Sequence, residues 1–120
     1  MKAVIWHNPG CGTSRSALAA LRAAGYAPEV VEYLKTGWDP AGLRALLSDA
    51  GLTPRQALRL RGTPAEALGL TAPETSDEAL LLAMVAHPVL VERPFVRIGD
   101  RAALCRPIER LRDLLDAAAA

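Results

Sequence analysis

Residues Ala3 to Trp6 are a short apolar run closed by the Asn8-Pro9 turn signal, a pattern that predicts a buried strand. The spacing then becomes helical from about Thr13 to Ala24, with Gly25 placed as a C-terminal stop. After Pro28, the run from Glu29 to Leu34 reads as a second strand. Strand, helix and strand in this order imply a right-handed crossover and a parallel pair.

Thr36 to Pro40 interrupts the pattern, and Leu43, Leu46 and Leu47 then fall at amphipathic-helix spacing, with Asp39 as N-cap, Pro40 in the first turn and an end near Gly51. Thr53-Pro54 repeats that start signal for a short helix through about Leu60, and Ala65 to Leu68 can add one further turn. Thr75 and Glu78 have the spacing of a capping box, which predicts a helix from about Ser76 to Ala86, closed by His87-Pro88. Phe95 to Ile98, a turn at Gly99-Asp100, and Arg101 to Leu104 read as a β-hairpin. Pro107 opens a last helix carrying Ile108, Leu111, Leu114 and Leu115, with a frayed tail from Ala117 to Ala120.

Composition narrows the class. With 120 residues, 51% hydrophobic and 22% charged, the chain suits one compact domain, residues 1–120, with a real core. The net charge of +1 gives no nucleic-acid footprint, so affinity for anions must come from local placement. No apolar run approaches membrane-spanning length, and nothing at the N-terminus resembles a signal peptide. Cys11 and Cys105 are far apart, as expected of thiols kept reduced in a cytoplasm. No Cys or His pair has metal-ligand spacing, so no metal is expected.

Cys11 carries the chemistry. It sits in a tight turn between the first strand and the first helix, with Gly10 and Gly12 on either side. Unpaired N–H groups and the macrodipole at a helix N-terminus favour a thiolate, and they can lower a cysteine pKa into a range of about 3.5 to 7.5. The same amides, at Gly12, Thr13 and Ser14, would hold an oxyanion against the sulfur. Ser14 occupies the fourth position of what would otherwise be a Cys-x-x-Cys pair, so the turn holds no resolving thiol.

The run His7-Asn8-Pro9-x-Cys11-Gly12-Thr13-Ser14-Arg15 closely resembles the active-site loop of the glutaredoxin-coupled arsenate reductases, a branch of the thioredoxin-like superfamily. The resemblance continues through Arg59 to Leu70, His87 to Pro94 and Leu104 to Pro107, covering essentially the whole chain. It implies an α/β fold: a thioredoxin-like four-stranded mixed sheet with helices on both faces and a helical insertion between strands 2 and 3. It also implies a cis-proline beside the thiol, matched by Pro94.

The family uses three arginines to bind its tetrahedral anion, and Arg59, Arg93 and Arg106 stand at the matching places. Guanidinium suits this role because it presents paired, charge-assisted donors. Taken singly, each also reads as a solvated surface arginine. Arg59 is preferred over Arg61 because its spacing to Gly69-Leu70 fits without a gap, and two residues apart on a short helix point in different directions. His7 has two readings, a group that supports the thiolate or a strand-end histidine satisfied by the backbone. Arg15 can brace the loop or stand free. Glu92 reads as an ordinary surface charge, His87 as structural and Cys105 as a buried packing residue.

The resemblance implies an arsenate reductase in which Cys11 forms an adduct with arsenate, glutathione reduces the arsenic and glutaredoxin resolves the mixed disulfide. No tightly bound cofactor is expected; glutathione is a co-substrate, arsenate or a similar oxyanion the substrate, and the protein a cytoplasmic monomer. Two alternatives stand beside it. One is a glutathione-dependent thiol reductase of the same fold, which needs fewer arginines. The other is a Spx-type regulator that binds RNA polymerase, although such proteins usually carry the second loop cysteine.

Overall fold

The computed structural model describes residues 1–119. It divides into two compact units, one formed by residues 1–36 with 93–119 and the other by residues 37–92. The helical insertion expected between strands 2 and 3 is therefore a unit of its own.

The first unit is built on a four-stranded sheet of order β2-β1-β3-β4, with β1 at Ala3–Trp6, β2 at Glu29–Val31, β3 at Phe95–Ile98 and β4 at Arg101–Leu104. β1 pairs parallel with β2 and antiparallel with β3, and β3 pairs antiparallel with β4. Helix α1, Gly12–Ala23, makes the crossover, and Gly25 takes φ +93° after it, a left-handed conformation that suits glycine. Helix α2, Tyr33–Thr36, takes over residues expected to extend β2. The reason is burial: β2 is largely exposed and Tyr33 is buried, so the chain turns inward once Val31 has paired.

Alternation along the strands sends Ala3 and Ile5 of β1 and Val96 and Ile98 of β3 to one face. There they meet Ala17 and Leu21 of α1 and Leu111, Leu114 and Ala118 of helix α6, Glu109–Ala119, in a single core cluster. Ile5, Leu21 and Val96 are fully enclosed. Burying an aliphatic side chain of this size stabilises by about 1.5–3 kcal/mol. The expected fraying from Ala117 onward is not seen through Ala119, because Ala118 packs into this core; Ala120 lies outside the described residues. The Arg106–Pro107 bond is cis and α6 starts at Glu109, two residues later than the sequence suggests.

The second unit holds α3 (Pro40–Asp49), α4 (Pro54–Ala57) and α5 (Asp77–Ala86) around Leu43, Leu46, Leu80, Leu81, Met84 and Leu90. Asp39 caps α3 as expected, its Oδ2 accepting from Gly42 N–H at 2.8 Å. The capping box lies instead at Thr53 and Gln56 of α4. Helix α5 is capped by Ser76, whose Oγ accepts from Ala79 N–H at 3.1 Å, while Glu78 makes a bidentate pair with Arg44. The expected Thr75–Glu78 box is thus not formed: the cap moves one residue on to Ser76, an equally good cap, and Glu78 has a cationic partner. Residues 64–70 form hydrogen-bonded turns, and a 3-10 turn at Pro88–Leu90 follows α5.

Helix α4 ends three residues short of the expected Leu60. Leu58 is extended and bridges Val91, and Arg59 N–H donates to Leu90 O at 2.7 Å. Among the described residues no helix is long and apolar enough to cross a membrane.

Candidate active site

The loop from His7 to Ser14 is shaped almost entirely by its own polar groups. Asn8 Oδ1 accepts from Gly10 N–H at 2.9 Å, and Asn8 O accepts from Cys11 N–H at 3.0 Å, closing a tight turn. A side chain on residue 10 would meet Asn8 Oδ1 at 3.3 Å, a tight contact against the atom that accepts from Gly10 N–H. Cys11 is the N-cap of α1, in extended conformation, with its carbonyl accepting from Arg15 N–H at 3.0 Å. Its side chain makes no capping bond, so the sulfur meets the first amides of the helix as the reactive group.

Cys11 is only 7% exposed. Burial by itself pushes its pKa up, but the nearby Ser14 backbone N–H and the guanidinium groups of Arg93 and Arg106 outweigh it and bring the thiol down to about 7. The outcome lies at the upper end of the expected range. At neutral pH about half of the thiol is then ionised.

The arginines arrive through strand register. Trp6 pairs with Phe95, so the end of β1 lies beside the residues that precede β3. Phe95 pairs with Leu104, and Cys105 N–H donates to Pro94 O at 2.8 Å, continuing the ladder by one step. Arg93 precedes and Arg106 follows that step. Arg106 Nη1 stands 3.9 Å from Cys11 Sγ. Both guanidinium groups act on the Cys11 sulfur, so an anion docked there would meet two cations. Arg93 Nε is buried without a hydrogen-bond partner, a donor that the protein itself leaves unused. The Arg93–Pro94 bond is cis, as the resemblance implied.

The Ser14 side chain has a task of its own, beside the oxyanion-binding amide expected of this residue. Its hydroxyl is fully buried, accepts from Asn8 N–H at 3.0 Å and lies 2.7 Å from His7 Nδ1. With Asn8 N–H on one lone pair, the hydroxyl still has a proton to give and a second lone pair to offer, so it can serve Nδ1 in either role. Burial lowers the His7 pKa, against the smaller raising effect of Glu32, in keeping with a neutral ring. Neither earlier reading of His7 is complete: its backbone N–H is satisfied by Val31 O at 2.8 Å, and its ring braces the loop through Ser14. Only the backbone N–H of Ser14 remains for the sulfur. Arg15 is likewise a brace, Nη1 donating to Pro9 O at 2.8 Å. Gly12 is exposed and Thr13 half-buried at the start of α1.

Arg59 belongs to the second unit. It is half-buried and pairs with Glu92, Nη1 to Oε1 at 3.1 Å, so Glu92 is a partner for an arginine and not the ordinary surface charge expected. Arg61 is exposed. The distinction between the two does not come from helical spacing, since α4 has ended before either residue; the bridge at Leu58 and the bond to Leu90 O set the path of Arg59. Cys105 is fully enclosed in the core of the first unit, and burial pushes its thiol up to about 12. Among the described residues no cluster of three or more His, Cys, Asp or Glu side chains is arranged to hold a metal.

Comparison with known proteins agrees with this geometry. The sequence model of the ArsC family matches residues 6–114. An arsenate reductase of Rhizobium meliloti (strain 1021) is 53% identical over 115 residues, covering 96% of this chain and 82% of that protein. The arsenate reductase of Escherichia coli (strain K12) is 39% identical over 111 residues, covering 92% of this chain and 79% of its own length. Among solved structures, an arsenate reductase from Vibrio cholerae superposes with a TM-score of 0.89 at 38% identity, covering 94% of this chain and 97% of that one. With a mixed sheet of thioredoxin-like order, an acidified thiol at the head of its first helix and relatives matched over about four-fifths of their length, the chain belongs to the ArsC family.

Proposed function

We propose that this protein reduces arsenate to arsenite through Cys11, with glutathione and glutaredoxin as the reductants. The observation that carries the reading is the convergence of Arg93 and Arg106 on a sulfur brought down to about 7. A thiolate attacking an oxyanion meets charge repulsion, and two guanidinium groups beside the sulfur offset it in the encounter and in the transition state. The unused Arg93 Nε donor and the first amides of α1 supply further hydrogen bonds for the anion's oxygens. Arg59 is assigned as the third arginine on its sequence match.

Cys11 thiolate forms a sulfur–arsenic bond as one arsenate oxygen, protonated, leaves as water. Glutathione thiolate then attacks the Cys11 sulfur. A disulfide bond forms, the sulfur–arsenic bond breaks with its electron pair passing to arsenic, and arsenic(V) becomes arsenic(III), released as arsenite. Glutaredoxin thiolate attacks the glutathione sulfur and frees Cys11. Cys105 is a poor alternative resolving thiol, because at about 12 it is protonated at any physiological pH. A cycle of this kind suits the reducing cytoplasm.

The test is NADPH consumption coupled through glutathione reductase, glutathione and glutaredoxin, with and without arsenate. Arsenate-dependent turnover should vanish in Cys11→Ser and fall by at least about 100-fold in Arg93→Ala and Arg106→Ala, the scale on which a lost oxyanion donor acts. Absence of any arsenate dependence in the wild type, with Cys11 still readily alkylated at neutral pH, refutes the proposal and leaves a general thiol reductase.

A further inference from the structure

An open groove of about 560 Å³ begins at Gly12, the residue after Cys11, and runs along the outer side of α1 between Thr13, Arg15, Ser16 and Ala19 on one hand and Ile108 on the other. Its size falls within the range of about 300–1,000 Å³ over which small-molecule clefts occur. Its lining has one charge, Arg15, two hydroxyls and no acidic side chain. Arg15 is held at the lip by its bond to Pro9 O, and its Nη2 stands 3.7 Å from where a Cβ on residue 12 would lie. Exposed Gly12 thus puts the start of the groove one residue from Cys11.

We infer that this groove is the subsite for the glutathione moiety, whose cysteine sulfur meets Cys11 while one of its carboxylates is taken by Arg15. The inference rests on the glutathione-dependent reading above and adds the place of binding. Charge selects the occupant: glutathione carries two carboxylates and one ammonium, and the groove offers a fixed cation with no competing anion. The hydroxyls of Thr13 and Ser16 are partners for its amides, and Ile108 and Ala19 give its methylenes an apolar wall.

The subsite can be read without arsenate. Cys11 thiolate attacks one sulfur of glutathione disulfide; the new mixed disulfide forms as the old sulfur–sulfur bond breaks and glutathione thiolate leaves. Rates of Cys11 modification by glutathione disulfide and by uncharged hydroxyethyl disulfide are measured by mass spectrometry on the intact protein, and their ratio is compared among variants. Ala19 is exposed on α1, where Glu and Lys are both good helix formers. Ala19→Glu should lower the ratio by about three- to tenfold and Ala19→Lys should raise it, as expected for single charges at several ångströms in a solvated groove. Arg15→Gln should also lower it.

A steric or folding effect would move both Ala19 variants in the same direction and would act on both disulfides. The inference is overturned if the ratio is the same in wild type, Ala19→Glu and Ala19→Lys, or if both substitutions shift it alike. A charge-dependent ratio in a protein without arsenate turnover would retain the subsite and refute the proposed reaction. Full turnover with a flat ratio would refute the subsite alone.

Discussion

Replacing Ser14 by alanine should separate the stability of the loop from the acidity of its thiol. The Ser14 hydroxyl is fully enclosed and serves two groups, Asn8 N–H at 3.0 Å and His7 Nδ1 at 2.7 Å. Ser14→Ala leaves both without a partner, and a buried polar group left unsatisfied costs about 1–3 kcal/mol. Two such groups cost about 2–6 kcal/mol together; alanine returns about 0.5 kcal/mol through its higher helix propensity, so the net loss is roughly 1.5–5.5 kcal/mol. For a chain of this length, between the size classes for which 1 kcal/mol moves Tm by about 4–8 °C and 2–4 °C, that corresponds at about 4 °C per kcal/mol to a fall of roughly 6–22 °C. The thiol, by contrast, is held by the backbone N–H of residue 14 together with Arg93 and Arg106, and alanine keeps that N–H. Thermal unfolding followed by circular dichroism under reducing conditions, and the pH profile of iodoacetamide alkylation of Cys11, test the two halves. A fall in Tm below about 2 °C would refute the accounting for the hydroxyl. An alkylation midpoint that leaves the neighbourhood of about 7 for the ordinary cysteine range would show that the hydroxyl, not the amide, stabilises the thiolate.

In the wild type, alkylation of Cys11 should titrate with a midpoint of about 7, and Arg93→Gln or Arg106→Gln should each raise it; a midpoint unmoved by both substitutions would sink the assignment of these arginines to the sulfur. Cys105 makes an opposite contribution to stability. Its folded thiol, raised to about 12, favours the protonated form, so its stabilising effect is complete below the ordinary thiol value of about 8.5 and is lost as pH rises towards 12. Denaturant unfolding between pH 8 and roughly 11 should show a downward slope that is weaker in Cys105→Ala, and equal slopes would refute the argument.

Much of the site was legible because its determinants are local or are carried by turns. A cysteine between two glycines at a strand-to-helix junction must face the first amides of the helix, whatever surrounds it. The hairpin turn at Gly99-Asp100 places Phe95 opposite Leu104, whereas Arg59, Arg93 and Arg106 were named through the resemblance to the family and not through the turn. Strand identities and the parallel β1–β2 pair followed from period and chain order. Errors occurred where a local signal had an equivalent competitor: Ser76 against Thr75 as a cap, Tyr33 turning inward where an apolar run promised more strand, and Leu58 leaving α4 to pair with Val91.

The sequence by itself determined the order of elements and the place of Cys11 at the head of the first helix, since helical and strand periods and turn residues act over a few residues; Arg93 and Arg106 entered through the family resemblance. Only the tertiary structure decided how polar side chains distant in sequence are used. Glu92 becomes the partner of Arg59 across 33 positions, and Arg106 reaches Cys11 across 95. The Ser14 hydroxyl is engaged by His7 and Asn8, because folding buries it and a buried hydrogen-bonding group takes the partners enclosed with it. No periodicity encodes those choices. They depend on which groups lose water together when the sheet and its helices close.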